Sequence, residues 1–128
     1  MARNRPRKFR NEPTIVDGHK FDSKREANRF TELLVLERAG EIANIELQPK
    51  FPLQVLRMID GTPTHVDIKI RSKGFPNGRR CSYRADFRFQ CLRTGKQIVE
   101  DVKGFDDDRA RFKRAVVEAV FGIEIALV

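Results

Sequence analysis

The chain has 128 residues, an apolar fraction of 40% and a net charge of +8. That length fits one domain and is sufficient to bury a hydrophobic core. The sequence shows no apolar run of the length needed for a membrane span or a signal peptide, so a membrane protein is not expected. Cys81 and Cys91 lie on one predicted strand, where they cannot reach each other to form a disulfide. Two reduced cysteines favour a cytoplasmic location.

The positive charge is concentrated at the start of the chain. The first ten residues contain five basic side chains and no acid, so five of the eight net charges lie there. The five basic residues are Arg3, Arg5, Arg7, Lys8 and Arg10. We expect residues 1–13 to form a basic flexible arm that contacts DNA phosphates, followed by a single domain over residues 14–128. The alternative is an arm that is merely a solvated tail.

A first helix is predicted from about Asp22 or Ser23 to Ala39, with Gly40 at its C-terminal end. Its expected buried stripe consists of Ala27, Phe30, Leu33 and Leu34. Glu26 lies beside this stripe rather than on the open solvent face. The sequence from Ser23 to Glu26 has the form of a capping box, which favours a helix-capping role for Glu26.

Two further stretches alternate in the manner of strands. Residues 42–56 contain two prolines, which predicts a kinked or edge strand. Residues 64–71 are predicted to form a strand with Val66, Ile68 and Ile70 inward. This second stretch contains an Asp-x-Lys sequence at Asp67, but no preceding apolar strand supplies an acidic partner, so we reject it as an active site. The loop over residues 73–80 is basic and can contact nucleic acid.

The most informative stretch covers residues 83–104, where apolar and polar residues alternate as in a half-buried strand. The expected inward residues include Tyr83, Ala85, Phe87 and Phe89, and the expected outward residues are Arg84, Asp86, Arg88 and Gln90. A second strand over residues 97–103 follows a turn signal at Thr94 and Gly95. The two strands are therefore predicted to form a β-hairpin.

A two-residue loop at Thr94 and Gly95 places Asp86 opposite Lys103, and Arg88 opposite Asp101. A four-residue loop centred on the same turn gives the same register, whereas a three-residue loop with a bulge would break it. In the predicted register the Cα atoms of Asp86 and Asp101 are diagonal neighbours, about 7 Å apart. Two carboxylates at that spacing can converge on one hard cation. We expect both side chains to face a cleft outside the core, so that replacing either by alanine leaves the fold intact. The simpler alternative is that both aspartates form cross-strand ion pairs on a solvent face.

A second helix is predicted from about Asp107 to Phe121, with acidic residues at its N-terminus complementing the helix dipole. Its expected core stripe is Phe112, Ala115, Val116, Ala119 and Val120. Arg109, Lys113 and Arg114 are expected to form a basic surface beside it. Gly122 ends the helix, and residues 123–128 are predicted to form a last strand. The order of elements predicts an α/β protein with a mixed central sheet flanked by helices.

Asp86 is followed after fourteen residues by the triplet Asp101-Val102-Lys103. This pattern resembles the PD-(D/E)XK nuclease superfamily, with Ala85-Asp86 in the place of Pro-Asp. More closely, the segments GHKFDSKREANRF, LQPKF, YRADFRF and VEDVKG, in this order, look like a small phage-encoded family known as a domain of unknown function. The superfamily resemblance implies a restriction-endonuclease-like αβββαβ core, in which the strand over residues 64–71 is an insertion.

The resemblance also implies an activity and a cofactor. The protein would be a metal-dependent DNA endonuclease of a phage or prophage, acting in DNA recombination, repair or processing. Asp86, Asp101 and the backbone carbonyl of Val102 would hold Mg²⁺ or Mn²⁺. The resemblance favours Glu26 as a further ligand, against the capping role that the sequence alone favours. Lys103 would orient the attacking water or stabilise the transition state.

Arg84 and Arg88 lie on the predicted face of the aspartates and would contact DNA phosphates, or else they balance the charge of the aspartates. The expected substrate is duplex or branched DNA in the cytoplasm of a bacterial host cell, and a homodimer is plausible by analogy. An alternative function is a catalytically inactive, basic nucleic-acid-binding accessory protein with a nuclease-like fold. A third is a phage structural or packaging component that uses its basic arm for assembly.

Overall fold

A computed structural model describes residues 13–102 and 106–128. The described chain is a mixed α/β protein with two helices and a four-stranded mixed sheet. The helices are α1 (Lys24–Arg38) and α2 (Asp108–Phe121). The strands are β1 (Thr14–Val16), β2 (His19–Phe21), β3 (Ile42–Leu47), β4 (Lys50–Pro52), β5 (Gln54–Ile59), β6 (Thr62–Asp67), β7 (Lys69–Ser72), β8 (Phe75–Arg80), β9 (Ser82–Arg84), β10 (Phe87–Cys91), β11 (Gln97–Asp101) and β12 (Ile125–Leu127).

The central sheet has the strand order β12-β11-β10-β3. β10 is antiparallel to both β3 and β11, whereas β11 and β12 are parallel and are joined through α2. A parallel pair needs a crossover connection, and here a helix provides it. The prediction of an α/β protein with a mixed central sheet is confirmed.

The two helices cover opposite faces of this sheet. Successive residues of a strand point to opposite faces. On β11, Val99 belongs to a core cluster that includes Val117 of α2, whereas the neighbouring Ile98 packs against a cluster that includes Phe30 and Leu33 of α1. We call these clusters the α2 core and the α1 core. Their burial on both faces is the main driving force for forming the sheet.

The structure of α1 agrees with the sequence prediction. Ser23 is its N-cap, and the Ser23 side chain accepts a hydrogen bond from the backbone N–H of Glu26. Gly40 follows the helix with a φ of +74°, a left-handed conformation that suits glycine. Of the predicted stripe, Ala27, Phe30 and Leu33 are buried, and Leu34 packs against the same cluster.

The predicted core stripe of α2 is mostly wrong, although the position of the helix is nearly correct and Val116 packs against the α2 core as expected. Phe112 is 66% exposed, and the buried residues of the helix are Arg114 and Val117. The sequence prediction left Arg114 out of the stripe, because a charged residue is seldom fully buried unless it is paired. Arg114 is paired with Asp106, to which its Nη2 atom donates two hydrogen bonds of 2.7 and 2.8 Å.

The segment between β3 and β10 forms three two-stranded antiparallel pairs, β4–β9, β5–β6 and β7–β8. The single strand predicted over residues 64–71 is divided at Ile68. There the Ile68 N–H donates to the Leu53 carbonyl at 2.8 Å, and the Ile68 carbonyl accepts from the Cys81 N–H at 3.0 Å. Ile70 was expected to point inward but is 61% exposed. The kink expected in residues 42–56 is present as breaks between β3, β4 and β5.

The hairpin of β10 and β11 forms in a different register from the one predicted. Phe87 lies opposite Glu100 and Gln90 lies opposite Gln97, a shift of two residues. The loop consists of residues 92–95, and the Gly95 N–H donates to the Cys91 carbonyl at 2.8 Å. Gly95, with a φ of +73°, ends the loop instead of occupying its centre. A shift of two residues preserves the face on which each side chain of the hairpin lies. The strand predicted through residues 83–90 is, however, broken between β9 and β10. Tyr83 and Ala85 therefore belong to the α2 core, whereas Phe87 and Phe89 belong to the α1 core, so the four expected inward residues do not share one face.

Candidate functional site

Asp86 and Asp101 lie at the same end of the central sheet. Asp86 stands between β9 and β10, and its backbone N–H donates to the Glu100 carbonyl at 3.1 Å. The last pair of the hairpin ladder is Phe87–Glu100, so Asp86 and Asp101 lie just beyond its end, and their side chains are hydrogen-bonded to each other. The two aspartates therefore face each other across the strands, whereas the predicted register made them diagonal neighbours and placed Asp86 opposite Lys103.

The carboxyl group of Asp86 is in an unusual electrostatic environment. Burial raises its pKa to about 8, and the hydrogen bond with the side chain of Asp101 acts in the same direction. The negative charges of Glu26 and Asp101 also raise this pKa. A hydrogen bond of 2.7 Å from the Val102 N–H to the Asp86 Oδ2 atom opposes them, because it favours the charged form. The result is a carboxyl group whose protonated form is favoured near neutral pH.

Asp101 is more deeply buried, with 3% of its surface exposed. Its Oδ2 atom accepts a hydrogen bond from the Tyr83 hydroxyl and lies 3.9 Å from Nη1 of Arg114. Burial raises the pKa of Tyr83, and the hydrogen bond and charge of Asp101 raise it further. Tyr83 therefore remains protonated and donates its hydrogen bond to Asp101.

Arg114 links α2 to this site. Its side chain is buried between Asp101 and Asp106, and its Nη2 atom is bound by the Asp106 carboxylate. Within the part of the chain that the structure describes, the buried Nη1 atom has no hydrogen-bond partner. A buried donor without a partner costs free energy. Arg114 therefore holds the side of Asp101 that faces α2 at some cost to stability.

Sequence analysis did not assign roles to Tyr83 or Arg114. Tyr83 was expected to be an ordinary inward residue, and Arg114 was expected on the surface. The available signal for Arg114 was weak: it lies three residues before the buried Val117 and follows a run of three acidic residues. Their contacts join β9 and α2 to β11, and such long-range pairs are not encoded in local periodicity.

Glu26 lies in the first turn of α1. Its backbone N–H donates to the Ser23 Oγ atom at 3.2 Å, which is one half of the predicted capping box. Its carboxylate is close enough to raise the pKa of Asp86. The backbone of Glu26 thus takes part in the cap, while its side-chain charge acts on the aspartate pair.

A second buried acid, Glu100, was also missed. It is 3% exposed and lies on the α1 side of β11, on the opposite face from Asp101. Arg29 of α1 binds it with two hydrogen bonds, of 2.9 Å from Nε and 2.6 Å from Nη2. This two-point geometry is among the stronger ion pairs in proteins and fixes α1 against the sheet.

The structure separates the two predicted DNA-contacting arginines. Arg88 lies opposite Val99 instead of Asp101, because of the changed register. Its Nε atom donates to Glu46 of β3 at 2.8 Å, so it is not available to balance the aspartates. Arg84 is exposed and pairs in register with Lys50, which places two cations side by side.

Several predicted site residues cannot be placed. Lys103 and the basic residues of the arm, Arg3, Arg5, Arg7, Lys8 and Arg10, lie outside the described residues. Val102 is described, and its side chain packs against the α1 core while its N–H binds Asp86. Within residues 13–102 and 106–128, no group of three or more His, Cys, Asp or Glu side chains is arranged to hold a metal ion.

The described chain is thus a mixed α/β protein with a pair of facing aspartates, one of them deeply buried, at one end of its four-stranded sheet. Residues 6–125 match the family described as Protein of unknown function (DUF1064), and the chain belongs to this family. No curated protein and no solved structure matches the chain. Neither of the two described helices is long and apolar enough to cross a membrane.

Proposed function

We propose that this protein is a metal-dependent endonuclease that hydrolyses phosphodiester bonds in DNA, with Asp86 and Asp101 as metal ligands. The observation that carries the proposal is the contact between these two carboxyl groups, which are hydrogen-bonded to each other at one end of the sheet. Burial is the main cause of the raised pKa of Asp86, and the negative charges of Glu26 and Asp101 add to it. A bound divalent cation reverses this penalty, because its charge is the largest in such a site.

The order of elements supports the proposal at the level of the fold. Without the three pairs β4–β9, β5–β6 and β7–β8 and the pair β1–β2, the described chain runs α1, β3, β10, β11, α2, β12. This is the αβββαβ order of the restriction-endonuclease-like core in the PD-(D/E)XK superfamily, to which we propose that the chain belongs. Because one fold supports many functions, the assignment of activity depends on the aspartates and not on the order of elements.

The donor atoms at the site suit Mg²⁺ or Mn²⁺. Both aspartates supply carboxylate oxygens, and the Val102 carbonyl is the proposed third donor, so the set consists of hard oxygen ligands. One oxygen of each carboxylate is oriented by a protein donor, Val102 N–H for Asp86 and the Tyr83 hydroxyl for Asp101. Bound there, the cation would polarise the phosphate and lower the pKa of a water molecule.

The remaining proposed roles concern the substrate. Lys103 follows Val102 directly and, in our proposal, orients the attacking water or stabilises charge on the phosphate in the transition state. Arg84 and Lys50 form a pair of adjacent cations on β9 and β4, next to the strand break at Asp86, where they can bind neighbouring phosphates. The five basic residues of the arm extend this contact without sequence preference.

A cleavage assay tests the proposal. Linear, nicked, flapped and four-way DNA substrates are incubated with the protein and Mg²⁺ or Mn²⁺. Cleavage that requires the metal and is lost in both Asp86→Ala and Asp101→Ala supports a nuclease. Cleavage at the wild-type rate in either folded variant shows that the proposed site is wrong.

The second candidate is an inactive nucleic-acid-binding accessory protein. The observation in its favour is that Asp101 already contacts Tyr83 and lies close to Arg114, as a purely structural carboxylate would. This function predicts binding to DNA that weakens with salt, with no cleavage of any substrate in the panel.

A further inference from the structure

A cleft of about 560 Å³ lies between the β7–β8 hairpin and α2. Its volume is within the range of ligand-binding clefts. We call it the cationic cleft. Four of the ten residues that line it are basic, namely Arg79, Arg80, Arg109 and Lys113, although the body of the protein beyond its arm is only mildly basic. The other lining residues are apolar or small and include Ile70 and Phe112.

The positive charges of the cleft are only partly neutralised. Arg80 lies 3.4 Å from Asp67, and the Lys113 ammonium donates to the Ser82 carbonyl at 3.2 Å. Among the residues that the structure describes, no acidic side chain forms an ion pair with Arg79 or Arg109. The cleft is therefore complementary to a ligand with more than one negative charge.

The apolar residues of the cleft restrict the ligand further. Phe112 is 66% exposed and Ile70 is 61% exposed, and both line the cleft among the basic side chains. Phosphate or the backbone of a regular duplex would use the cations and leave these apolar surfaces in water. Unpaired bases offer a flat face to an aromatic ring while their phosphates meet the cations, which is how single strands are bound without sequence preference.

We propose that the cationic cleft binds single-stranded DNA, with Phe112 stacked on an unpaired base and with Arg79 and Arg109 contacting phosphates. The cleft is next to the proposed metal site, because two of its residues are sequence neighbours of residues that surround Asp101. Lys113 directly precedes Arg114, which lies 3.9 Å from Asp101. The Lys113 ammonium also donates to the carbonyl of Ser82, which directly precedes Tyr83. The inference rests on the proposed nuclease function in naming its substrate class, DNA with an unpaired segment, but binding needs no metal.

The test measures binding without cleavage. The full-length protein is titrated, in EDTA at about 0.15 M salt, with a labelled oligothymidylate of about 12 nucleotides and with a duplex of the same length. Phe112→Ala should weaken binding of the single strand at least about fivefold. Phe112→Leu, which keeps apolar surface but removes the ring, should not restore it. Val35→Ala, which truncates a 59% exposed apolar residue on α1, is the matched control and should change nothing.

Salt dependence tests the phosphate contacts. Arg79→Ala and Arg109→Ala should each reduce the slope of log K against log salt for the single strand by about 0.7. The inference is overturned if the wild-type protein binds the duplex as tightly as the single strand, or if Phe112→Ala binds the single strand as the wild type does. If single-strand binding depends on Phe112 but the protein cleaves no DNA in the presence of metal, the cleft proposal stands and the nuclease proposal fails. If the protein cleaves DNA but Phe112→Ala binds the single strand as the wild type does, the nuclease proposal stands and the cleft proposal fails.

Discussion

Glu100 and Asp101 are consecutive residues of β11 that are buried to the same extent, 3% exposed, on opposite faces of the sheet. Arg29 of α1 holds Glu100, whereas Tyr83 and Arg114 contact or approach Asp101 on the α2 side. Each acid is thus surrounded by donors or cations. Only Asp101 faces Asp86. Variants of Glu100 and Asp101 can therefore be compared to separate an effect on stability from an effect on activity.

We predict that Asp101→Asn abolishes cleavage, whereas Glu100→Gln retains it. Both variants should be destabilised, by about 1–3 kcal/mol, because each removes a charge from buried hydrogen bonds. This modifies the expectation from sequence that Asp101 lies outside the core and can be replaced without effect on the fold. Denaturant unfolding measures stability, and cleavage is then measured under conditions where both variants are folded. Loss of cleavage in folded Glu100→Gln would contradict the assignment, since the role would then not be specific to Asp101.

A second prediction concerns pH. The pKa of Asp86 is raised from 3.8 to about 8, so between these values the folded protein binds a proton that the unfolded chain releases. Stability therefore falls as pH rises through this window, and the loss is complete above about pH 8. Asp86→Asn removes this dependence and should make the metal-free protein more stable than wild type at pH 8 and above. The gain should be about 1–3 kcal/mol, less than the full shift implies, because the half-buried carboxyl group remains partly screened by water.

Thermal or denaturant unfolding at several pH values in EDTA measures this difference. The control is Asp60→Asn, at an exposed aspartate in the turn between β5 and β6. Mg²⁺ should raise the stability of wild type at pH 8 and should have little effect on Asp86→Asn. A pH dependence that is the same in wild type and Asp86→Asn would show that Asp86 titrates normally.

The sequence predicted the parts of the site that depend on periodicity. The buried stripe of α1 follows from the helical repeat, and the common face of Asp86 and Asp101 follows from the two-residue repeat of strands. This second prediction survived an error in the register because the error was an even number of residues. Had the loop been shifted by one residue, the aspartates would lie on opposite faces.

The features that the sequence did not predict depend on contacts between distant segments. Local patterns assigned Arg114 to the surface, because its burial depends on Asp106 and Asp101 and not on its neighbours in the helix. The same applies to the ion pair of Arg29 with Glu100, which are 71 residues apart. The register itself depended on whether Gly95 occupied the middle or the end of its loop, and both positions suit a glycine with positive φ.

A third prediction concerns the basic arm. Deletion of residues 1–10 should weaken DNA binding without changing the rate at which bound substrate is cut. If all five basic side chains contact phosphates of a duplex, the slope of log K against log salt should decrease by about 4.5. Titrations of wild type and the deletion variant over a range of salt concentrations measure the slope. An unchanged slope would show that the arm does not contact the DNA.

The last prediction distinguishes the two roles of Glu26. The capping bond runs from the Glu26 backbone N–H to Ser23, so Glu26→Gln keeps it and removes only the charge. If Glu26 acts only as a cap, cleavage is nearly unchanged and stability changes by less than about 1 kcal/mol. We expect a larger effect, because the charge of Glu26 acts on Asp86. The variant should lower the pKa of Asp86 and weaken metal-dependent cleavage by at least about 10- to 100-fold, with partial recovery in excess Mn²⁺.

Metal titration of cleavage and an NMR titration of the Asp86 carboxyl group provide two separate measurements of this role. Glu32→Gln is the matched control, because Glu32 lies on the same helix with an exposed side chain that pairs with Arg29. It removes the same charge at a position that is not among the main causes of the raised pKa of Asp86, so both measurements should remain close to those of wild type. If the metal titration of Glu26→Gln superimposes on that of wild type, Glu26 is a helix cap and the metal is held without it. If the Asp86 pKa falls while cleavage is unchanged, Glu26 affects the charge of the site but does not bind the metal.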